Sequence, residues 1–303
     1  MYNGILNIYK EKDFTSHDVV AVLRGILGQK KIGHTGTLDP QAIGVLPVCL
    51  GKATKVADLL TDKDKIYKTR FKLGEETDTQ DHTGEVIDRK PFSVDNTTIL
   101  ETISGFVGEL EQLPPMYSAI KIGGRKLYDV ARSGQTIERK KRWITIHDIY
   151  DIRINLPFIE MTVHCKKGTY IRTLCRDISE ALGTCGHMVE LERTASGVFT
   201  KETALTLEEI KKLVHENKIA EAIVQVDMLF SDYQRLVIDR DYNHMLYNGN
   251  KLPFEAIMKH DTDKVLDKTC YNVYNDEGDY MGIYEWLSPK NLLMPVKFFC
   301  IRH

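Results

Sequence analysis

The sequence predicts an α+β fold: a mixed, largely antiparallel central sheet with flanking helices, followed by a small C-terminal β-rich unit. Three observations lead to it. Segments with two-residue alternation outnumber segments with helical spacing, so most strands have no helix available as a parallel crossover. The helical segments carry one apolar face, as elements lying on a sheet do. Past about residue 231 the chain breaks into short strand-like pieces between turn-rich stretches. Residues 4–9, GILNIY, read as the first strand. Ser16 is placed to cap a helix to about Leu27, with Val19, Val20, Leu23, Ile26 and Leu27 on one face and Gly28 to end it. Over 66–73, Tyr67, Thr69, Phe71 and Leu73 alternate with Lys68, Arg70 and Lys72, a strand with one basic face. FIEMTVHC at 158–165 is another strand, and Ile171, Leu174, Ile178 and Leu182 recur at helical spacing up to Gly183. Thr206 and Glu209 form a capping box for a helix near 207–217. LVI at 236–238, YNVYN at 271–275 and MGIYEW at 281–286 are the strands of the tail, so the expected division is 1–231 and 232–303.

With 303 residues, 42% hydrophobic and 28% charged, the chain has the make-up of a soluble globular protein large enough for two domains. No run of 18 apolar residues occurs, and MYNGILNIYKEKD carries no basic leader followed by an apolar stretch. The expectation is a cytoplasmic protein with no membrane partner. Six cysteines, at 49, 165, 175, 185, 270 and 300, are scattered without a C-x-x-C pair, which reads as reduced packing thiols. A formal net charge of −2 counts against a polyanionic partner. Between 121 and 142, however, Lys121, Arg125, Lys126, Arg132, Arg139, Lys140, Lys141 and Arg142 face only Asp129 and Glu138. A local stripe is enough to hold phosphates, because the binding free energy comes from counterions displaced at the contact.

Residues 33–40, GHTGTLDP, are the richest in chemistry. Gly33 and Gly36 permit tight turning or positive φ, and Pro40 fixes its own φ while driving Asp39 toward extended backbone. Asp39 is thereby both exposed and held still. Taken alone, an ordinary surface turn explains the same residues equally well.

GHTGTLDP is followed by GVLPVCLGKATK at 44–55, YSAIKIGGRKLYDVARSG at 117–134, KGTYIRTL at 167–174 and GHMVELERTASGVF at 186–199. In that order these motifs resemble the signatures of the TruB family of tRNA pseudouridine synthases, over about residues 3–200. The resemblance implies the pseudouridine synthase fold and isomerisation of the T-loop uridine in the TΨC arm of tRNA, without cofactor or metal. A monomer is expected, and the tail is similar to a PUA-type RNA-binding domain. The reaction moves the bond at ribose C1′ from N1 to C5 of uracil; it needs a carboxylate beside sugar and base and a closed pocket in which the freed base can turn. Asp39 matches the family's catalytic aspartate, its role being attack on C1′, attack on the base or deprotonation of C2′. An acid ionised in a partly dry pocket requires a cation, and Arg172 matches the arginine that pairs with it. Extruding the uridine costs a few kcal/mol, and an aromatic platform returns about 1–3 kcal/mol; Tyr67 matches the tyrosine that stacks on the base. Tyr170 matches a second tyrosine, Leu191 an apolar wall and His34 a histidine packed against the RNA loop. Lys10, Lys167 and Arg193 complete the substrate-binding set, and Lys121, Arg125, Lys126, Arg139, Lys140, Lys141 and Arg142 the set for the RNA backbone. The chain departs from the family pattern at Glu11 and Asp13, where proline and glycine are usual, and at Glu192, where arginine is common.

Other readings are weaker. A phosphate loop fails on spacing, since Gly44 lies seven positions before Gly51 and Ala53 follows Lys52. TDTQDH at 77–82 offers Asp78, Asp81 and His82 as hard ligands, but acidic turns are commoner than metal sites. The alternative from another class is a non-catalytic tRNA-binding and folding chaperone on the same scaffold; Asp39, Tyr67 and Arg172 together speak against it.

Overall fold

The computed structural model describes residues 1–118, 137–259, 261 and 265–300, and the backbone alone at 121–122 and 125–126. The N-terminal strands are β1 (Gly4–Lys10), β2 (Ile32–His34), β3 (Ile43–Leu50) and β4 (Lys65–Leu73). Then come β5 (Glu75–Thr77), β6 (Val86–Arg89), β7 (Gly108–Gln112), β8 (Lys121–Ile122), β9 (Arg125–Lys126), β10 (Arg142–Asn155), β11 (Phe158–Cys165), β12 (Gly186–Ser196) and β13 (Phe199–Thr200). Nine of them form one sheet in the order β1-β3-β12-β4-β11-β10-β7, with β2 on β3 and β13 on β12. Its pairings are antiparallel apart from β12 with β3. The sheet is thus mixed and largely antiparallel, as the periodicity predicts.

Among the described residues the helices are α1 (Ser16–Leu27), α2 (Ala57–Thr61), α3 (Asn96–Ser104), α4 (Ile171–Ala181) and α5 (Leu207–His215), with a single turn at Asn243–Leu246 in the tail. The α1 cap falls one residue earlier than expected: Thr15 accepts from the Asp18 N–H and Asp18 answers to the Thr15 N–H, closing a capping box. Ser16 is freed for a tertiary role described below. Ile99 and Ile103 of α3 and Leu174 and Ile178 of α4 join Phe71, Ile146 and Val163 of the sheet in one core. Val19 and Leu23 of α1 and Ile210 of α5 join Leu6 and Leu46 in another.

The tail builds a second, five-stranded sheet from β14 (Arg235–Val237), β15 (Leu252–Pro253), β16 (Cys270–Tyr274), β17 (Tyr280–Leu287) and β18 (Leu292–Phe298), in the order β14-β16-β17-β18-β15. Leu236, Tyr271, Met281, Trp286 and Leu293 give it a core of its own. It is also docked: Tyr274, Tyr280 and Phe299 share an apolar cluster with Ile5, Val45 and Phe199 of the first sheet. Lys297 Nζ meets Asp58 Oδ2 at 2.6 Å across the same seam. Among the described residues no helix is long and apolar enough to cross a membrane.

The parallel contact of β3 with β12 involves only Ile43 and Gly44 opposite Glu192 and Arg193. Gly44 has φ 107°, and a Cβ there would stand 2.2 Å from the Arg193 carbonyl oxygen. Here glycine is required by both conformation and space. Gly33 and Gly36, the expected candidates, are not at positive φ. Gly44→Ala is therefore expected to cost more than about 2 kcal/mol, seen as a lower urea midpoint at unchanged slope.

Candidate active site

Asp39 lies in the loop between β2 and β3, and polar groups of Lys10, Asp13 and Ser16 fasten that loop. The Leu38 N–H donates to Ser16 Oγ of α1 at 2.9 Å. The Asp13 N–H donates to the Pro40 carbonyl at 2.9 Å. Lys10 Nζ donates to the same carbonyl at 3.1 Å and to those of Glu11 and Phe14 at 3.0 and 2.6 Å. Lys10 has no exposed surface, and burial drives its pKa down to about 8. All three donors of the ammonium are used inside the protein, so here Lys10 fastens the loop and does not line the cavity. Asp13 takes φ 69°, the left-handed region that the family's usual glycine would enter freely and that aspartate tolerates better than most residues. Gln41 Nε2 donates to its Oδ1 at 2.8 Å, so that departure keeps the loop's path.

Arg172, the second residue of α4, reaches the loop from the other side. Its Nε lies 3.1 Å from Asp39 Oδ2, and one terminal nitrogen lies 3.6 Å from Asp81 Oδ2. That nitrogen also donates to the Thr79 carbonyl at 3.0 Å, and the other to the Tyr117 carbonyl at 2.7 Å. The guanidinium is only 6% exposed, while the Asp39 side chain keeps 40% of its surface open. Desolvation raises the Asp39 pKa above the usual aspartate value; Arg172 pulls against it and the nearby Asp81 charge adds to it. The start of α4 is held by an amide clamp, in which Gln112 Oε1 accepts from the Tyr170 N–H at 2.8 Å and Gln112 Nε2 donates to the Tyr170 carbonyl at 3.0 Å.

These groups open onto a cavity of about 320 Å³. Asp39, Tyr67, Lys167, Tyr170, Arg172, Leu191 and Arg193 all line it, so seven of the residues marked in the sequence converge. Arg193 is almost fully buried: Nε donates to the Val45 carbonyl at 2.7 Å, a terminal nitrogen donates to that of Gly36 at 3.3 Å, and the guanidinium also reaches the Tyr67 hydroxyl. Burial raises the Tyr67 pKa against that cation, keeping the phenol neutral. Lys167 Nζ pairs with Asp62 Oδ1 at 2.6 Å. Lys65, which the sequence did not single out, also lines the cavity; its ammonium donates to the Thr61 and Lys63 carbonyls and burial lowers its pKa to about 8.

His34 is not brought into the cavity. It stands in β2, partly exposed and edge-on to His17 at 5.1 Å, and burial lowers its pKa to about 4, so the imidazole is neutral. Glu192 faces inward to Lys201 Nζ at 2.6 Å and the Tyr9 hydroxyl at 2.9 Å, so its charge is met within the protein. Of the basic stripe, Lys140, Lys141 and Arg142 are exposed, whereas Arg139 is half-buried and donates to the Pro114 carbonyl at 2.9 Å. The side chains of Lys121, Arg125, Lys126 and Arg132 lie outside the described residues. Asp81 of TDTQDH, weighed above only as a metal ligand, is engaged by Arg172, Thr79 and Thr83. Its signal was the turn-forming Asp-x-Thr spacing; Gln112 had none.

The model of the TruB family of pseudouridylate synthases, N-terminal domain, matches residues 24–171, and that of the tRNA pseudouridylate synthase B C-terminal domain matches 172–236. The chain is 48% identical over 306 residues to tRNA pseudouridine synthase B of Lachnoclostridium phytofermentans, covering 98% of this chain and 99% of that one. The chain belongs to the TruB family. Another TruB relative, tRNA pseudouridine synthase B of Clostridium acetobutylicum, is 42% identical over 93% of this chain and 94% of its own. In fold, the TruB chain matches one in the crystal structure of a Cbf5-Nop10-Gar1 complex, with a TM-score of 0.73, 26% identity, and coverage of 99% of this chain and 85% of the other. As a TruB pseudouridylate synthase the protein is an isomerase.

Two outcomes follow from the geometry. In carboxyl-carbon NMR titrations, Asp81→Asn removes a negative neighbour and moves the Asp39 pKa down, while Arg172→Gln removes the cation and moves it up. Shifts in the opposite directions would refute the assigned causes. Lys10→Met leaves buried carbonyls unmet and is expected to cost about 3 kcal/mol in urea unfolding.

Proposed function

We propose that the protein converts the T-loop uridine of tRNA, in the TΨC arm, to pseudouridine, with Asp39 as the catalytic carboxylate and the uridine flipped out of its stack. The observation that carries this reading is the open carboxylate of Asp39, fixed against Arg172 at the wall of a cavity bounded by Tyr67, Tyr170 and Leu191. Its 320 Å³ falls at the small end of ligand pockets, roughly 300–1,000 Å³, which suits a single extruded nucleoside. Arg172 opposes the desolvation of Asp39 and favours its ionised form beside the ribose and base. The C1′–N1 bond breaks, the uracil turns against the ring of Tyr67, C1′ bonds to C5, and the C5 proton is lost as N1 regains one. No electrons are gained or lost overall, so the cycle calls for no redox cofactor or metal. Tyr67 and Leu191 supply an apolar slot, and Lys65, Lys167 and Arg193 a positive field for the flanking phosphates. Lys140, Lys141 and Arg142 extend that field along the RNA backbone. Residues 232–303 serve as a PUA-like RNA-binding domain beside the catalytic domain at 1–231, in a cytoplasmic monomer.

Incubation with an unmodified tRNA transcript, followed by mapping of pseudouridine, tests the proposal. Product is expected at the T-loop uridine, and Asp39→Asn should lower the rate by about 10³-fold or more; an undiminished rate would remove Asp39 from its role. Tyr67→Ala should reduce turnover more than tRNA affinity. The triple change Lys140→Ala, Lys141→Ala and Arg142→Ala should weaken binding and flatten its salt dependence by about 0.7–0.9 in log–log slope for each phosphate no longer neutralised.

A further inference from the structure

Away from the cavity's reacting groups, three donors that are distant in sequence meet: Asp64 in the turn before β4, His147 in β10 and His164 in β11. His147 Nε2 lies 3.2 Å from Asp64 Oδ2 and His164 Nε2 lies 3.9 Å from the same oxygen. All three donor atoms are within 4.8 Å of one another, and the imidazole centroids are 4.7 Å apart. The strands prepare this meeting. Pairing of β10 with β11 steps from Ile146 opposite Cys165 to Asp148 opposite His164, so His147 is an extra residue in a bulge at the His164 position. Asp64 is anchored in turn by its carbonyl, which accepts from the Gly197 N–H at 2.9 Å.

We propose that Asp64, His147 and His164 form a binding site for a divalent transition metal of the Zn²⁺ class. The two imidazoles are borderline ligands that favour Zn²⁺, Co²⁺ or Ni²⁺ over Mg²⁺ and Ca²⁺, which take all-oxygen donor sets, and the one carboxylate is a ligand zinc also accepts. Bond lengths of about 2.0–2.1 Å to zinc set neighbouring donors about 3.3 Å apart. One pair already stands at 3.2 Å, and the other two, at 3.9 Å and within 4.8 Å, close by side-chain rotation. The three side chains are 31–45% exposed, so rotation is free and water can complete the coordination shell. A bound ion would tie the turn that leads into Lys65 and Tyr67 of β4 to the strands that end beside Lys166 and Lys167, bracing one wall of the cavity.

The test uses the full chain stripped with a chelator and titrated calorimetrically with Zn²⁺ and with Co²⁺. One equivalent is expected to bind and to raise the melting temperature. His147→Ala and His164→Ala should each weaken binding at least about tenfold, the scale on which even residues that merely orient a ligand act, and abolish the thermal shift while melting normally without metal. Cys270→Ala and Cys300→Ala should leave binding unchanged, and the Co²⁺ spectrum should lack a thiolate charge-transfer band. Absence of stoichiometric binding, binding unaffected by the histidine changes, or a thiolate band would overturn the proposal and leave an ordinary histidine–aspartate hydrogen bond.

Discussion

One guanidinium organises the cavity. Arg172 joins the loop carrying Asp39, the turn at Thr79–Asp81 and the Tyr117 carbonyl, segments that chain connectivity alone would not bring together. At 3.1 Å and an effective dielectric near 20, its attraction to Asp39 is about 5 kcal/mol. Removing a carboxylate from water costs several kcal/mol. The two are of one size, but desolvation is the larger and the Asp81 charge adds to it, so the Asp39 pKa comes out raised although an arginine touches it. The arginine does not make Asp39 a strong acid; it keeps a partly desolvated carboxylate within reach of ionisation.

That arrangement depends on a loop that cannot drift, and the chain holds it with buried donors as well as the apolar burial of Leu38 and Ala42. Lys10 illustrates why. A buried ammonium is costly unless all its protons are bonded, and three carbonyls arranged around it can be satisfied only when β1, the following turn and Pro40 are each in place. The depressed pKa records that cost. The stability forgone is returned as a single position for Asp39.

The fold was legible because its signals are periodic. The alternation over Lys65–Leu73, the apolar stripe of α1 and the Thr206–Glu209 box each depend on residues adjacent in sequence, and each reappears with at most a shifted boundary. The site was legible in part, and through the family motifs more than through physics: seven marked residues share the cavity. The misses have a common cause. Gln112 is buried because a partner 58 residues away needs its amide, and Asp81 matters because Arg172 arrives from α4. Lys10 has a polar side chain in a motif, yet its ammonium is enclosed by carbonyls that only the finished fold assembles. Local sequence carries conformation and residue type, whereas burial and partnership are set by strands that meet only in the finished sheet.

The same buried cations account for how a chain of net charge −2 can accept a polyanion. Asp39 is the one carboxylate lining the cavity among the described residues, against Lys65, Lys166, Lys167, Arg172 and Arg193. Lys65 and Arg193 rest on carbonyl oxygens and not on acids, so their positive charge is held in place without being neutralised. Bringing RNA phosphates near would, by itself, push the Asp39 pKa further up. A cation fixed by neutral dipoles offsets that approaching charge and leaves Arg172 committed to Asp39. A positive lining and an Asp39 carboxylate that can still ionise thus follow from one choice: fastening buried bases with backbone carbonyls.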